Sequence, residues 1–320
     1  MTLSIIIPLY NKEEYIAQTL QSIVDQTVFP FEIIIVDDKS TDDGLLKVKQ
    51  FLEEAPEDFK AHVRIEIVEP EENSGIGRTR NLGFARTTGD LVRFLDADDL
   101  YVPELIERST KLMSAASLDF IVFGIELFPN GTAYPKLSEL EELLSPIDHE
   151  AYRLDHPMKT VTLREFVMGL GSNVLANREV MEPIKVYEDG RLGEGTDYWY
   201  QLMKIAYQRC STSIGLLLEN YIRVREVEES VSRKTYKRWD DVDYSPTLIR
   251  YENSPYLYDK LMMDVMGRGW LQYSGGSIET WSQRTIFRFK YRKLFRKHAY
   301  YWLLRKIYRN RPAEHLDKNK

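Results

Sequence analysis

The chain carries a single cysteine, Cys210, among its 320 residues. No intrachain disulfide can form, and nothing in the composition asks for an oxidising compartment, so a reducing cytoplasm is the expectation. Nowhere do apolar residues run uninterrupted for the ~20 positions that cross a bilayer. The amino-terminal run Ser4-Ile5-Ile6-Ile7-Pro8 is too short, and too soon followed by polar residues, for a signal peptide or a membrane span. The expected protein is soluble or peripheral to a membrane. Positive charge is also in deficit, with 43 Lys and Arg against 50 Asp and Glu for a net charge of −7. That balance argues against a nucleic-acid partner. No internal repeat is visible beyond an alternation of strand-like and helix-like segments.

That alternation dominates the first hundred residues. Ser4 to Tyr10 is a continuous apolar strand, and Asn11 is placed to cap the amphipathic helix that carries Tyr15, Ile16, Leu20, Ile23 and Val24 on one face. Phe31 to Val36 repeats the pattern, ends in Asp37-Asp38, and is followed by Ser40, Thr41 and Asp42 as caps for a helix through Phe51. Arg64 to Val68 is a third strand, and Asn73-Ser74-Gly75-Ile76-Gly77 turns into a helix from about Arg78 to Arg86. Repeated β–α units predict an α/β fold with a mostly parallel sheet covered by helices. Further on, Pro103–Met113 is expected to be helical and Asp119–Phe128 a strand, and residues 129–159 read as a surface excursion or lid. Thr162 is expected to cap a short helix through Leu170, Gly195-Thr196 precedes an amphipathic helix, and Ser213–Val224 is strand-like. From about Asp240 strand patterns give way to helical ones, which sets a boundary near Lys237 between a domain of residues 1–237 and a helical carboxyl-terminal region of residues 238–320.

The stretch Leu91 to Asp99 concentrates the chemistry. Four apolar residues among the first five of this stretch make a strand fit for the middle of a covered sheet. Its three carboxylates, Asp96, Asp98 and Asp99, then emerge together at the carboxyl edge, where open α/β sheets bind ligands. Hard oxygen ligands there suit Mg²⁺ or Mn²⁺, particularly when the metal also holds a diphosphate. By itself an Asp-x-Asp is as readily an Asp-rich turn before a helix.

Several marks occur together in order: Pro8-Leu9-Tyr10-Asn11, Val36-Asp37-Asp38-Lys39-Ser40, Asn73-Ser74-Gly75 with Arg78, Arg80 and Asn81, Gly89-Asp90, and Phe94-Leu95-Asp96-Ala97-Asp98-Asp99. As an ordered set over residues 3–232 they resemble the inverting glycosyltransferases of family 2, which have the GT-A fold. The resemblance implies a nucleotide-sugar donor, UDP-linked if Asp38 accepts a hydrogen bond from the uracil imide, with Pro8, Tyr10, Asn11, Asn73 and Arg80 around it. It places Asp96 at the ribose, counts Ala97 among the donor-binding residues and makes Asp98 the ligand of a Mn²⁺ or Mg²⁺ cofactor. The family takes its general base from a Glu-Asp pair at a helix start. The matching residues here are Glu194-Gly195-Thr196-Asp197-Tyr198-Trp199, so Asp197 is the implied catalytic base. Thr196 stands where Glu is usual, and Glu194 is the candidate to replace the missing carboxylate. Tyr221-Ile222-Arg223-Val224-Arg225 with Ser230-Val231-Ser232 resembles the stretch that closes the family's catalytic domain. Arg225 holds a place often occupied by His, where it can meet phosphate and cannot ligate a metal.

Between Arg284 and Arg311 no acidic residue interrupts a mixture of basic and aromatic residues. Such segregation suits a helix lying on an anionic membrane, and equally a bundle helix with one side packed and its charges solvated. Together these readings predict a glycosyltransferase acting on a glycan or polyol-phosphate acceptor of the bacterial surface. The contact at residues 284–311 would put it on the inner face of the membrane, and oligomers are compatible with the sequence. Two other classes compete. A sugar nucleotidyltransferase should carry a glycine-rich basic loop, and Pro8-Leu9-Tyr10-Asn11-Lys12 is not one. A non-catalytic glycan-binding subunit on a degenerate fold draws its support from Thr196.

Overall fold

The computed structural model describes residues 1–164, 172–188, 193–227, 235–242, 244–309 and 311. In chain order these form β1 (Leu3–Leu9), α1 (Ile16–Val24), β2 (Glu32–Asp37), α2 (Gly44–Glu54), α3 (Glu57–His62), β3 (Arg64–Val68), α4 (Ile76–Arg86), β4 (Leu91–Phe94), β5 (Leu100–Tyr101) and α5 (Leu105–Ala115). Then follow β6 (Phe120–Phe128), β7 (Thr132–Tyr134), β8 (Leu144–Pro146), β9 (Ala151–Leu154), α6 (Pro157–Leu163), β10 (Val174–Asn177), α7 (Arg178–Met181), α8 (Glu194–Arg209) and β11 (Ile214–Arg225). Helices α9 (Pro246–Tyr251), α10 (Leu257–Ser277), α11 (Trp281–Lys290) and α12 (Arg292–Arg309) complete the described chain.

The main strands lie in the order β3-β2-β1-β4-β10-β6-β11-β9-β8. The first four are parallel, as the βα units require. Beyond β4 the sheet is mixed, with β10 antiparallel to both β4 and β6 and β11 parallel to β6. The predicted parallel character therefore holds for the amino-terminal half alone. Past β4 the order of strands in space departs from their order in sequence, and apolar runs carry no sign of direction.

Why β1 and β4 are apolar at most positions, with Ser4 and Arg93 as the exceptions, is plain from their two faces. Ile6, Val92 and Phe94 point into one apolar cluster with Trp199, Trp270 and Phe287. Ile5, Ile7, Leu91 and Leu95 point into the other, against Ile16, Leu20 and Leu105. Successive side chains alternate between faces, so a strand covered on both sides has no polar face to show. The first cluster takes in residues on both sides of Lys237. The GT-A-type α/β architecture and the helical carboxyl-terminal region are thus both observed.

Four local expectations are corrected. Asn11 is not the cap of α1, which starts at Ile16. Its φ of 51° is left-handed, a conformation unlike that of an N-cap, and its Oδ1 accepts instead from the amide of Thr41 at 2.8 Å. Residues 129–159 are not a surface excursion: β9 pairs with β11, and Leu140, Leu143, Ala151 and Leu154 are buried. Strands of three or four residues are too short for periodicity to register. Thr162 lies inside α6, where its hydroxyl bonds back to the Met158 carbonyl at 2.6 Å. Of the caps expected at Ser40, Thr41 and Asp42, Asp42 alone meets the start of α2, its Oδ1 accepting from the amide of Gly44 at 3.0 Å, while the N-cap position itself is held by Asp43 without a side-chain bond. Leu170 and the Ser230-Val231-Ser232 stretch lie outside the described residues.

Candidate active site

The carboxyl ends of β1, β2 and β4 converge on one edge of the sheet, and the sequence-predicted residues gather there. Pro8 is buried within β1, opposite Val36, while Tyr10 just past the strand is 47% exposed. Asp38 is buried, and its carboxylate accepts from the Ser74 amide at 2.8 Å, the Ser74 hydroxyl at 3.0 Å and the Gly75 amide at 2.7 Å. The Asn73 side chain donates to the Asp38 carbonyl at 2.8 Å. These bonds tie the end of β2 to the turn before α4 and take up three of the roughly four acceptor positions a carboxylate has. That turn needs Gly75, whose φ is +82°, a region open to glycine at little cost. It also needs Gly77, where an added Cβ would come within 1.9 Å of the Tyr187 carbonyl oxygen.

Arg80 is 3% exposed and sits behind the acids. One Nη donates to Asp96 at 3.0 Å and the other to Glu194 at 3.3 Å, while its plane lies 5.4 Å from the Phe94 ring centroid. It joins the end of β4 to the start of α8. Glu194 and Asp197 are three residues apart on α8, hence on one face of the helix. Asp197 is 1% exposed and is held by Arg250 of α9, with Nη2 to Oδ2 at 3.2 Å, and by Gln201 at 3.0 Å. Burial pushes the Asp197 carboxyl above the ordinary aspartate range, and the Arg250 guanidinium pulls in the opposite direction.

The acid loop itself is braced from three sides. Thr19 of α1 donates to the Ala97 carbonyl at 2.9 Å. Ser172 accepts from the Asp96 amide at 3.0 Å and donates to the Asp99 carboxylate at 2.5 Å. Arg225, at the end of β11, gives its amide to Asp99 at 3.1 Å and its Nε to the Asp98 carbonyl at 3.1 Å. Asp99 is 3% exposed, and burial together with the neighbouring Asp96 and Asp98 carboxylates holds its carboxyl well above the ordinary range. Asp98 accepts from Lys12 Nζ at 2.6 Å. Among the described residues no group of three His, Cys, Asp or Glu side chains is arranged to hold a metal alone, so a cation here would draw most of its ligands from elsewhere.

Beneath the loop, Arg93 is fully buried between the Tyr101 and Phe123 rings, at 4.3 and 4.7 Å, and donates to the Ser172 carbonyl at 2.6 Å. Lys12, Arg93, Ser172 and Arg250 were not singled out from sequence. Arg93 alone left a signal, as a charged residue inside an otherwise apolar strand.

A family description, "Glycosyl transferase family 2", matches residues 4–182, over half of the chain. The chain belongs to glycosyl transferase family 2. The match spans β1 through α7 and includes the acid loop. The putative teichuronic acid biosynthesis glycosyltransferase TuaG of Bacillus subtilis is 37% identical over 143 residues, 44% of this chain and 54% of that protein. Chondroitin synthase of Escherichia coli is 29% identical over 277 residues, 82% of this chain and 37% of that protein. The chain spans about half the length, or less, of the curated relatives it matches. Among solved structures, TarS residues 1–349 of S. aureus in complex with UDP-GlcNAc superposes with a TM-score of 0.57 at 18% identity, covering 93% of this chain and 89% of that one. That likeness concerns the fold.

Proposed function

We propose that this family 2 protein is an inverting glycosyltransferase that moves a sugar from a UDP-linked donor to a hydroxyl of a bacterial surface polysaccharide, teichoic acid or lipid-linked glycan. One observation carries the reading: the Asp96–Arg80–Glu194 chain of ion pairs couples the acid loop to the helix that bears Asp197. A transferase needs a donor site and a base held at a set separation, and this link between two distant stretches supplies it. Glu194 here does the work of the carboxylate that Thr196 lacks.

In this reading Pro8 and Tyr10 flank the donor base, and Asn11, Asp38 and Asn73 hold the loops that close around it. Asp96, oriented by Arg80, meets the ribose beside Ala97. Asp98 is the protein ligand of a Mn²⁺ or Mg²⁺ ion. Its hard oxygen, already matched to a cationic group, fits such an ion, which when bound neutralises the diphosphate and the charge developing on the leaving group. Asp197 accepts the proton of the acceptor hydroxyl as that oxygen attacks the anomeric carbon, with inversion. A single base suffices. TarS was solved with UDP-GlcNAc, and a relative from E. coli, 28% identical over 133 residues, is named as a UDP-Glc-dependent glucosyltransferase acting on a diphosphoundecaprenol acceptor. Both names favour UDP, and the second favours a lipid-linked glycan acceptor. Purified protein incubated with a panel of UDP-sugars and Mn²⁺ is expected to release UDP. No turnover of any donor, with Asp98→Ala and Asp197→Ala indistinguishable from wild type, would sink the proposal.

Residues 1–237 form the catalytic unit in this reading, and residues 238–320 are its helical extension, with a membrane-facing side. Helix α12 buries Leu294, His298 and Tyr301, and α12 packs on α10, where Gly267 leaves room for the His298 ring. Its other side and that of α11 expose Trp281, Phe289, Tyr300, Trp302, Leu303 and Ile307. Exposed aromatics among solvated Lys and Arg suit the headgroup region of an anionic bilayer. Among the described residues no helix is long and apolar enough to cross a membrane. Sedimentation with phosphatidylglycerol vesicles is expected to retain wild type and to release the Trp302→Ser, Leu303→Ser double variant. Equal retention of the two would remove the membrane role.

A further inference from the structure

Asp98 does not face solvent alone. The Lys12 ammonium lies 2.6 Å from its Oδ2, in a pair whose side chains are 25% and 14% exposed. Two other cations near that contact, Arg80 and Arg225, are committed. Arg80 is paired with Asp96 and Glu194, and Arg225 is bonded to the Asp98 carbonyl and to Gln18 while lying over the Tyr15 ring at 4.9 Å. Lys12 is differently placed. Its main chain is fixed, because its carbonyl accepts from the amides of Tyr15 and Ile16 at 3.0 Å each. Its ammonium is paired with Asp98 and lies 5.9 Å from the Tyr15 ring centroid, and a lysine ammonium is a compact point charge that moves between anions more readily than a forked guanidinium.

We propose that Lys12 is a tethered counter-ion that competes with the divalent cation for Asp98 and so makes cation binding depend on the donor diphosphate. The inference rests on the donor-site reading above. Without nucleotide, a cation must displace the ammonium from Asp98 and leave it without a partner. With nucleotide, the diphosphate supplies new anionic oxygens within the reach of the stem, and the displaced ammonium is compensated. Cation and nucleotide then bind with positive coupling, and by linkage each raises the affinity of the other by the same factor. Removing the ammonium should abolish most of that coupling by making the nucleotide-free site receptive. The arrangement keeps Asp98 electrically satisfied between turnovers and keeps the protein from holding a divalent ion to no purpose.

The test measures binding, not turnover. Free Mn²⁺ is titrated by its electron paramagnetic resonance signal against wild type, Lys12→Met and Asp98→Ala, each with and without saturating UDP, after thermal melts establish that all three fold. Without UDP, Lys12→Met is expected to bind Mn²⁺ about tenfold more tightly than wild type, a change of about 1.4 kcal/mol. With UDP the two should differ by less than about threefold, because wild type has by then released its lysine. Equal Mn²⁺ affinities for wild type and Lys12→Met in the absence of UDP, alongside binding to wild type with UDP, overturn the role of Lys12 and leave the metal site standing. UDP binding that ignores Mn²⁺ and is lost in Lys12→Met also overturns it, by making Lys12 a permanent replacement for the cation. Absence of Mn²⁺ binding from every protein even with UDP fails the metal reading itself, and the competition proposed for Lys12 falls with it.

Discussion

The two carboxylate centres of the site are supported in opposite ways. The acid loop after β4 is braced chiefly by main-chain geometry: Ser172, Thr19 and Arg225 each bond to an amide or a carbonyl of residues 96–99 or contribute their own amide. Asp197 is held by side chains, those of Arg250 and Gln201, and the stronger of the two partners comes from a helix beyond Lys237. A loop braced at several main-chain points keeps most of its position when one partner side chain changes. A base fixed by an ion pair changes its proton affinity whenever that pair changes. On the proposed roles, the donor half would be built for position and the base half for tunable chemistry.

Four substitutions sharpen that contrast. The largest effect should come from Asp197→Asn, which removes the base and keeps its shape; transfer is expected to fall by about 10²–10⁴-fold while UDP affinity by calorimetry stays within about threefold. A comparable loss of UDP affinity would show that the two centres are not separable. Next, Trp270 of α10 is 3% exposed in the cluster shared with β4, so Trp270→Ala should destabilise the whole chain by about 3–5 kcal/mol, seen as one cooperative transition at lower denaturant. Two transitions, with only the minor one shifted, would make the carboxyl-terminal helices an independent unit.

Ser172→Ala should be milder, since it removes two hydrogen bonds from the acid loop while Thr19 and Arg225 remain. About 1–3 kcal/mol of stabilisation is at stake, and the expected signature is a raised Michaelis constant for the donor with little change in the pH profile. The smallest change, and the most diagnostic, is Arg250→Gln. As the proposed base, Asp197 must be ionised to accept a proton, so activity is expected to fall as pH drops through its pKa, which burial already raises. Taking away the guanidinium removes the opposing pull, so the acid limb of the rate profile should move to higher pH. An acid limb that stays in place would mean that Arg250 does not reach Asp197 in solution.

The same folded-state shift has a consequence for stability. A carboxyl whose pKa is raised on folding contributes stability that is fully present below its unfolded value and is lost as pH rises through the folded one. Asp197→Asn should therefore flatten the decline in melting temperature above the ordinary aspartate range.

Legibility from sequence follows the range of the interactions. The strands β1, β2 and β4 were readable because a strand covered on both faces is apolar at most positions, and runs of Ile, Val and Leu state that locally. The motif residues at their ends were readable because each follows a strand directly, so the fold carries them to one edge whatever else the chain does. Asp96 and Asp98 could be named on that basis, whereas Asp197, on helix α8, was named through the family resemblance. Lys12, Arg93, Ser172 and Arg250 could not, since each matters through a partner 53 to 86 residues away, and an isolated charge or hydroxyl in a sequence looks the same whether or not that partner exists.

Asn11 marks the same boundary from the other direction. Its residue type is right for a helix cap, and local propensity favours that use, but the contact with Thr41 thirty residues on holds it in a left-handed turn. The amino-acid sequence by itself determined the α/β class, the family and the positions of the acids, because these depend on local periodicity and on short ordered motifs. Only the tertiary structure decided what compensates each acid: Arg80 for Asp96, Lys12 for Asp98, Arg250 for Asp197. Coulomb attraction and desolvation act over a few ångströms of space, and distance along the chain does not enter them.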